Sequence, residues 1–116
     1  QLGQRKMGEC VTARIRELND QARQSFTGCR VVITRGIAAM GDDAVQRILA
    51  QVRRYDQFTA HNDPYQEHDF GSFQWGGVQV FWRWDYYDLD FSMHSPDPAD
   101  DTVTARVLTI MLAEEY

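Results

Sequence analysis

The run Val78-Gln79-Val80-Phe81-Trp82-Arg83-Trp84-Asp85-Tyr86 constrains this chain more than any other segment. Its large apolar side chains recur at every second residue, and the side chains of a strand alternate between two faces. Val78, Val80, Trp82, Trp84 and Tyr86 therefore share one face. That face must be covered, because each Å² of apolar surface removed from water is worth about 25 cal/mol. Gly76–Gly77 supplies a two-residue hairpin turn. Phe70–Trp75 is then the partner strand, with Trp75 opposite Val78 and Phe73 opposite Val80. A second turn at Asp88–Leu89 leads into Phe91–Met93, which sets Phe91 against Tyr86 and Met93 against Trp84. The expected core sheet is an antiparallel β-meander.

Helices must supply the cover. Val11, Ile15, Leu18, Ala22 and Phe26 recur at helical spacing and predict an amphipathic helix over 11–26, ended by Thr27–Gly28. Cys29–Thr34 reads as a short strand rich in β-branched residues. Asp42 or Asp43 suits the N-cap of a second helix whose buried stripe is Val45, Ile48, Leu49, Val52 and Tyr55. Asn62-Asp63-Pro64 is turn chemistry within a loop over 59–67. Asp97-Pro98-Ala99-Asp100 resembles a helix start, and Val103, Val107, Ile110 and Met111 fall on one face of that last helix. The reading is an α+β fold in the order α-β-α-β-β-β-α, with the helices on one face of the sheet. Residues 1–10 are expected to be a flexible segment ahead of a single domain over 11–116.

Charge is unevenly divided. Residues 1–54 carry ten Lys and Arg against five acids, and residues 55–116 carry two against twelve, for a net charge of −5. Phosphate contacts need Lys and Arg, so the C-terminal half argues against direct nucleic-acid binding. An acidic surface suits a basic protein partner. No apolar run is long enough to span a membrane. Gln1–Lys6 has no apolar stretch behind it, and Cys10 and Cys29 are too sparse for a disulfide framework. A cytoplasmic protein with two free thiols is expected.

The hairpin register sets His68 opposite Asp85, and Arg83 between Phe70 and His94, on the face away from the aromatic stripe. A carboxylate beside an imidazole orients and charges it. His68 and Asp85 are thus the candidate catalytic pair. Glu67, His68, Asp69, Arg83, Asp85 and Asp88 are the candidate binding residues, with His61 and Asp63 just upstream. Since side chains alternate, Asp69 is expected to point away from His68 and to accept a backbone or Trp N–H. No paired His or Cys has metal-ligand spacing, no Gly-rich loop cradles a phosphate, and no serine sits in a nucleophile elbow. Neither a metal nor an organic cofactor is expected.

Several local motifs occur together: Asn62-Asp63-Pro64-Tyr65, Glu67-His68-Asp69-Phe70-Gly71, Phe81-Trp82, Asp85-Tyr86-Tyr87-Asp88, Ser95-Pro96-Asp97-Pro98-Ala99-Asp100 and the stretch Arg106–Tyr116. As a set they resemble domain-of-unknown-function family 3768, over about Ile15 to Tyr116. The resemblance implies a small bacterial protein of the kind found mainly in proteobacteria, often on plasmids and other mobile elements. It carries over no catalytic residue. Cys29, His61 and His94 depart from the family pattern, whereas His68, Asp69 and Asp85 match it.

Two functions follow as expectations. The first is a non-enzymatic, protein-binding accessory of mobile elements that inhibits a host restriction or CRISPR component through its acidic surface. The second is a small acid–base enzyme or hydrolase centred on His68 and Asp85. The sequence carries no indication of oligomeric state.

Overall fold

The computed structural model describes residues 2–116, with side chains from Cys10 onward. Four helical and strand elements precede the long loop: α1 (Leu2–Ser25), β1 (Arg30–Ile33), the single turn α2 (Arg35–Ala38) and α3 (Asp42–Arg54). The hairpin β2 (Phe70–Trp75) and β3 (Val78–Tyr87) follows. The chain ends with a 3₁₀ turn at Asp101–Val103, β4 (Ala105–Leu112) and a second 3₁₀ turn at Ala113–Glu115. The fold is α+β, with a four-stranded mixed sheet in the order β1-β4-β3-β2.

The aromatic stripe dictates the packing as expected. Phe73 pairs with Val80 and Trp75 with Val78. Val80, Trp82, Trp84 and Tyr86 are buried together with Ile15 and Ala22 of α1, Ile37 of α2, and Val45, Ile48 and Val52 of α3. Trp82 has no exposed surface and Trp84 is 4% exposed. The opposite face carries Phe81, Arg83, Asp85 and Tyr87, and among the described residues no α-helix packs on it.

Three elements differ from expectation. Helix α1 begins at Leu2 and ends at Ser25. Phe26 lies just past its end at φ 57°, and Gly28, the residue expected to end it, is also left-handed at φ 68°. Gln1 and the side chains of residues 2–9 lie outside the described residues. Val11, the first residue of the predicted stripe, is 48% exposed.

The larger correction is at the C-terminus, where a strand replaces the last helix. Val107-Leu108-Thr109-Ile110-Met111-Leu112 satisfies both a helical and an alternating period, because a strand buried on both faces is apolar almost throughout. Sheet pairing decides between them. β4 enters the sheet between β3 (antiparallel) and β1 (parallel) and meets the backbone groups of both. Asp97 and Asp100 still act as caps, but of tight turns: Asp97 accepts from Ala99 N at 3.1 Å and Asp100 from Thr102 N at 3.0 Å.

Phe91–Met93 does not form a third meander strand; a single Tyr87–His94 bridge, out of the expected register, stands there instead. Asp88 causes the difference. Its carboxylate accepts from Ser92 N at 2.9 Å, Ser92 Oγ at 3.1 Å and Met93 N at 3.4 Å, closing a loop where a strand would need those N–H groups free.

Candidate functional site

The chain leaves α3 at Tyr55 and returns to the sheet at Phe70 through a loop wired to itself. Asn62 Oδ1 accepts from Thr59 N at 2.9 Å, Asn62 Nδ2 donates to Gln57 O at 2.8 Å, and Asp63 N donates to Thr59 O at 2.8 Å. Asn and Asp close such turns because their short side chains reach neighbouring backbone. The loop delivers His68 in a left-handed backbone conformation, φ 53°. That is a strained state for a non-glycine residue, and it needs fixed surroundings to persist.

The surroundings are fixed on three sides. His68 Nδ1 lies 2.9 and 3.0 Å from the two carboxylate oxygens of Asp20, on α1. Nε2 lies 3.5 Å from Asp63 Oδ2, and His68 N donates to Asp63 Oδ1 at 3.2 Å. Phe58 stacks flat on the imidazole, with centroids 3.7 Å apart and planes 4° from parallel. The ring forms part of the wall of an open cleft of about 360 Å³, lined also by Arg16, Phe58, Thr59, Ala60, Asp63 and Gln66.

The expected His68–Asp85 pair does not form. Phe70 does pair with Arg83, and continuing that register would bring residue 68 opposite 85. The ladder's last bond on that side is Trp84 N to Asp69 O at 2.9 Å, after which the left-handed turn at His68 carries the ring to the helix side. Asp85 stays on the open face, where it accepts from Arg83 Nε at 3.1 Å. Arg83 lies opposite Thr109 on its other flank, not opposite His94.

The remaining predicted residues separate. Glu67 joins a buried polar seam that sequence reading missed. Asn19, fully buried, donates through Nδ2 to the Tyr86 hydroxyl at 2.8 Å and to Glu67 O at 3.0 Å. The Tyr86 hydroxyl donates to Glu67 Oε1 at 3.3 Å, and Arg106 Nε donates to Asn19 Oδ1 at 3.0 Å. Burial pushes the Glu67 carboxyl and the Tyr86 phenol upward, because each charged form is poorly solvated there. Burial likewise raises the Asp69 carboxyl. Asp69 receives no indole N–H, since the buried Trp82 and Trp84 Nε1 atoms have no partner.

Arg23 is the second missed residue. It is 1% exposed and reaches across the core to cap α3, donating from Nη1 to Val52 O at 2.8 Å. Its guanidinium also pairs with Asp20 at 3.2 Å and lies 5.1 Å from the Trp82 ring centre. Asn19, Asp20 and Arg23 occur on a helix that reads as amphipathic with a polar outer face. No local signal distinguishes them from solvated neighbours; only the proximity of the loop and of β3 does.

Chemically, the His68 site is a clamp. One imidazole joins α1, the loop and the start of β2 by contacts at both ring nitrogens and on one ring face. No serine, threonine or cysteine oxygen or sulfur stands within hydrogen-bond reach of it among the described contacts. No group of three metal-ligating side chains is present among the described residues. Both cysteines are free, Cys10 exposed and Cys29 half-buried. No helix of the described residues is long and apolar enough to cross a membrane.

A second candidate surface follows the C-terminal end of β3, on the β1 side of the sheet. The loop closed by Asp88 holds Phe91 at φ 59° and projects Leu89, Phe91 and Met93, which are 59%, 43% and 71% exposed. Arg30 of β1 lies over the Phe91 ring at 4.4 Å, fixing it from one side. The same hydrogen bonds hold the Asp88 carboxyl below its ordinary range.

The family model described as "Protein of unknown function (DUF3768)" matches residues 33–115. The chain belongs to this family. The match spans the loop, the hairpin and β4, so His68, the Asp88 loop and the Glu67, Tyr86 and Arg106 members of the polar seam lie within it, while Asn19 and Asp20 of α1 precede it. No curated protein and no solved structure matches the chain.

Proposed function

We propose that this member of the family is a non-enzymatic protein-binding module whose recognition element is the Asp88–Met93 loop with the adjoining open sheet face. One observation carries the reading. Phe91, a bulky aromatic residue, is held in a left-handed conformation by the bonds of Asp88, and the loop it shapes puts three apolar side chains into solvent. Strain retained in a closed loop that exposes apolar groups is preorganisation for a partner. Clustered apolar side chains with acidic neighbours, here Asp88 and Asp90, favour an apolar groove with a basic rim. The strongly acidic C-terminal half supports the same polarity of partner. Within this reading the partner is a host restriction or CRISPR protein of a bacterium that carries the element.

The test is parallel affinity capture with the parent chain and with a Leu89→Ser/Met93→Ser variant. A specific partner recovered by the parent, lost with the variant and weakened at raised salt is expected. Recovery of the same proteins by both chains would remove the loop from the function.

Acid–base chemistry at His68 is a second reading, favoured by the Asp20-oriented ring at the cleft wall. Asp20 takes the role that Asp85 was expected to fill. His68→Gln should abolish turnover of a hydrolase substrate panel on this reading, and an unchanged profile excludes it.

A further inference from the structure

We propose that two copies of this chain pair through the outer edge of β2, antiparallel and centred on Ser72. This goes beyond the protein-binding reading and rests on different residues.

β2 lies at the end of the sheet and pairs on one side only among the described residues. The bond from Trp84 N to Asp69 O fixes which backbone groups face inward. Residues 69, 71, 73 and 75 turn their N–H and C=O groups to β3, so Phe70, Ser72 and Gln74 turn theirs outward. The one outward group with a described partner is Ser72 N, which donates to the Tyr55 hydroxyl at 3.4 Å, a long bond that a strand carbonyl would improve on.

Proteins protect an exposed strand edge with lysine, proline, inward charge or a bulge. Phe70-Gly71-Ser72-Phe73-Gln74-Trp75 has no charged residue and no proline, and it runs in unbroken register with β3. A second copy fits such an edge. Antiparallel pairing about a two-fold axis at Ser72 sets Phe70 against Gln74 and meets every outward N–H and C=O of Phe70, Ser72 and Gln74. Asp69 falls opposite Trp75, so no acid faces an acid despite the net charge of −5. Gly71 falls opposite Phe73. Gly71 has no room for a side chain of its own, because a Cβ there would stand 2.3 Å from Trp82 Nε1.

Sedimentation equilibrium of the intact chain from about 1 to about 500 μM provides the test. A monomer–dimer equilibrium is expected. Gln74→Pro removes an outward N–H without touching the β3 ladder and should weaken association at least about tenfold. Ser72→Lys and Ser72→Glu each place like charges directly across the axis and should be monomeric, and mixing the two should restore a dimer. Circular dichroism checks that each variant is folded, and the Ser72 pair decides if Gln74→Pro is not. A parent chain monomeric over the whole range overturns the proposal. So does a dimer that survives both Ser72 charges, or one that mixing fails to restore. The Leu89→Ser/Met93→Ser variant should dimerise like the parent, since that loop lies at the β1 side of the sheet.

Discussion

Replacing Gly71 by alanine should damage this protein far more than a single methyl group suggests. The added Cβ would stand 2.3 Å from Trp82 Nε1, 2.4 Å from Cε2 and 2.6 Å from Cζ2. Atoms of this kind do not approach within about 3.5 Å, so something must move by roughly 1 Å. The indole has no free direction. Tyr55 and Phe58 meet it edge-on at 5.4 and 6.1 Å, and the Arg23 guanidinium lies over its face. The strand cannot yield without breaking its bonds to β3. Overpacking of a filled core costs typically 1–3 kcal/mol, and a rigid, fully buried ring places this site near the upper end, at about 3 kcal/mol. For a chain of this length that is a fall in Tm of about 10–15 °C. Urea unfolding followed by tryptophan fluorescence and circular dichroism measures it, with Gln74→Ala as an exposed control on the same strand. Trp82→Phe removes the colliding atoms, so Gly71→Ala in that background should cost much less than in the parent. A loss below about 1 kcal/mol for Gly71→Ala, or strict additivity with Trp82→Phe, would refute the packing argument.

Three further outcomes are expected. Arg23→Met should destabilise by about 2–4 kcal/mol in urea, because it uncaps α3 and deprives Asp20 of a buried partner; a loss within experimental error would show that the buried guanidinium is dispensable. Glu115 accepts from Gly36 N at 2.9 Å and Leu112 N at 2.8 Å, so Glu115→Ala should cost about 1 kcal/mol in the same assay. Glu67 is raised by burial, so the folded state holds its proton more tightly than the unfolded chain does. Its contribution is therefore most favourable at low pH and is lost as pH rises from the ordinary carboxylate range through the folded value. Glu67→Gln should remove that slope and leave the parent's stability at low pH unchanged, as urea midpoints across the acidic range will show.

The helices and the hairpin were legible because their signals are local. Val45, Ile48 and Val52 mark the buried side of α3 by spacing alone, and Gly76–Gly77 fixes the register of β2 on β3 to the residue. The candidate site was half legible. Glu67, His68 and Asp69 stand at the join of loop and sheet, where they were expected to matter. Their partners were not legible, because Asp20 lies on a helix far away in sequence and nothing in its neighbours sets it apart from a solvated acid. The pairing of His68 with Asp85 failed on one dihedral angle, the left-handed turn at His68, which alternation along a strand does not anticipate.

What the sequence by itself determined, then, is a set of features carried by short-range signals: the aromatic face of β3, the amphipathic helices that cover it, the Gly76–Gly77 hairpin, and the charge division between the two halves. Tertiary structure alone decided the rest. β4 is a strand because the open sides of β1 and β3 needed a partner between them, a demand of long-range hydrogen bonding that overrides an ambiguous apolar run. Asn19, Arg23 and Arg106 are interior residues for a related reason. Each spans elements distant in the chain, and a polar group can be buried only where the folded backbone and side chains bring it matching donors and acceptors.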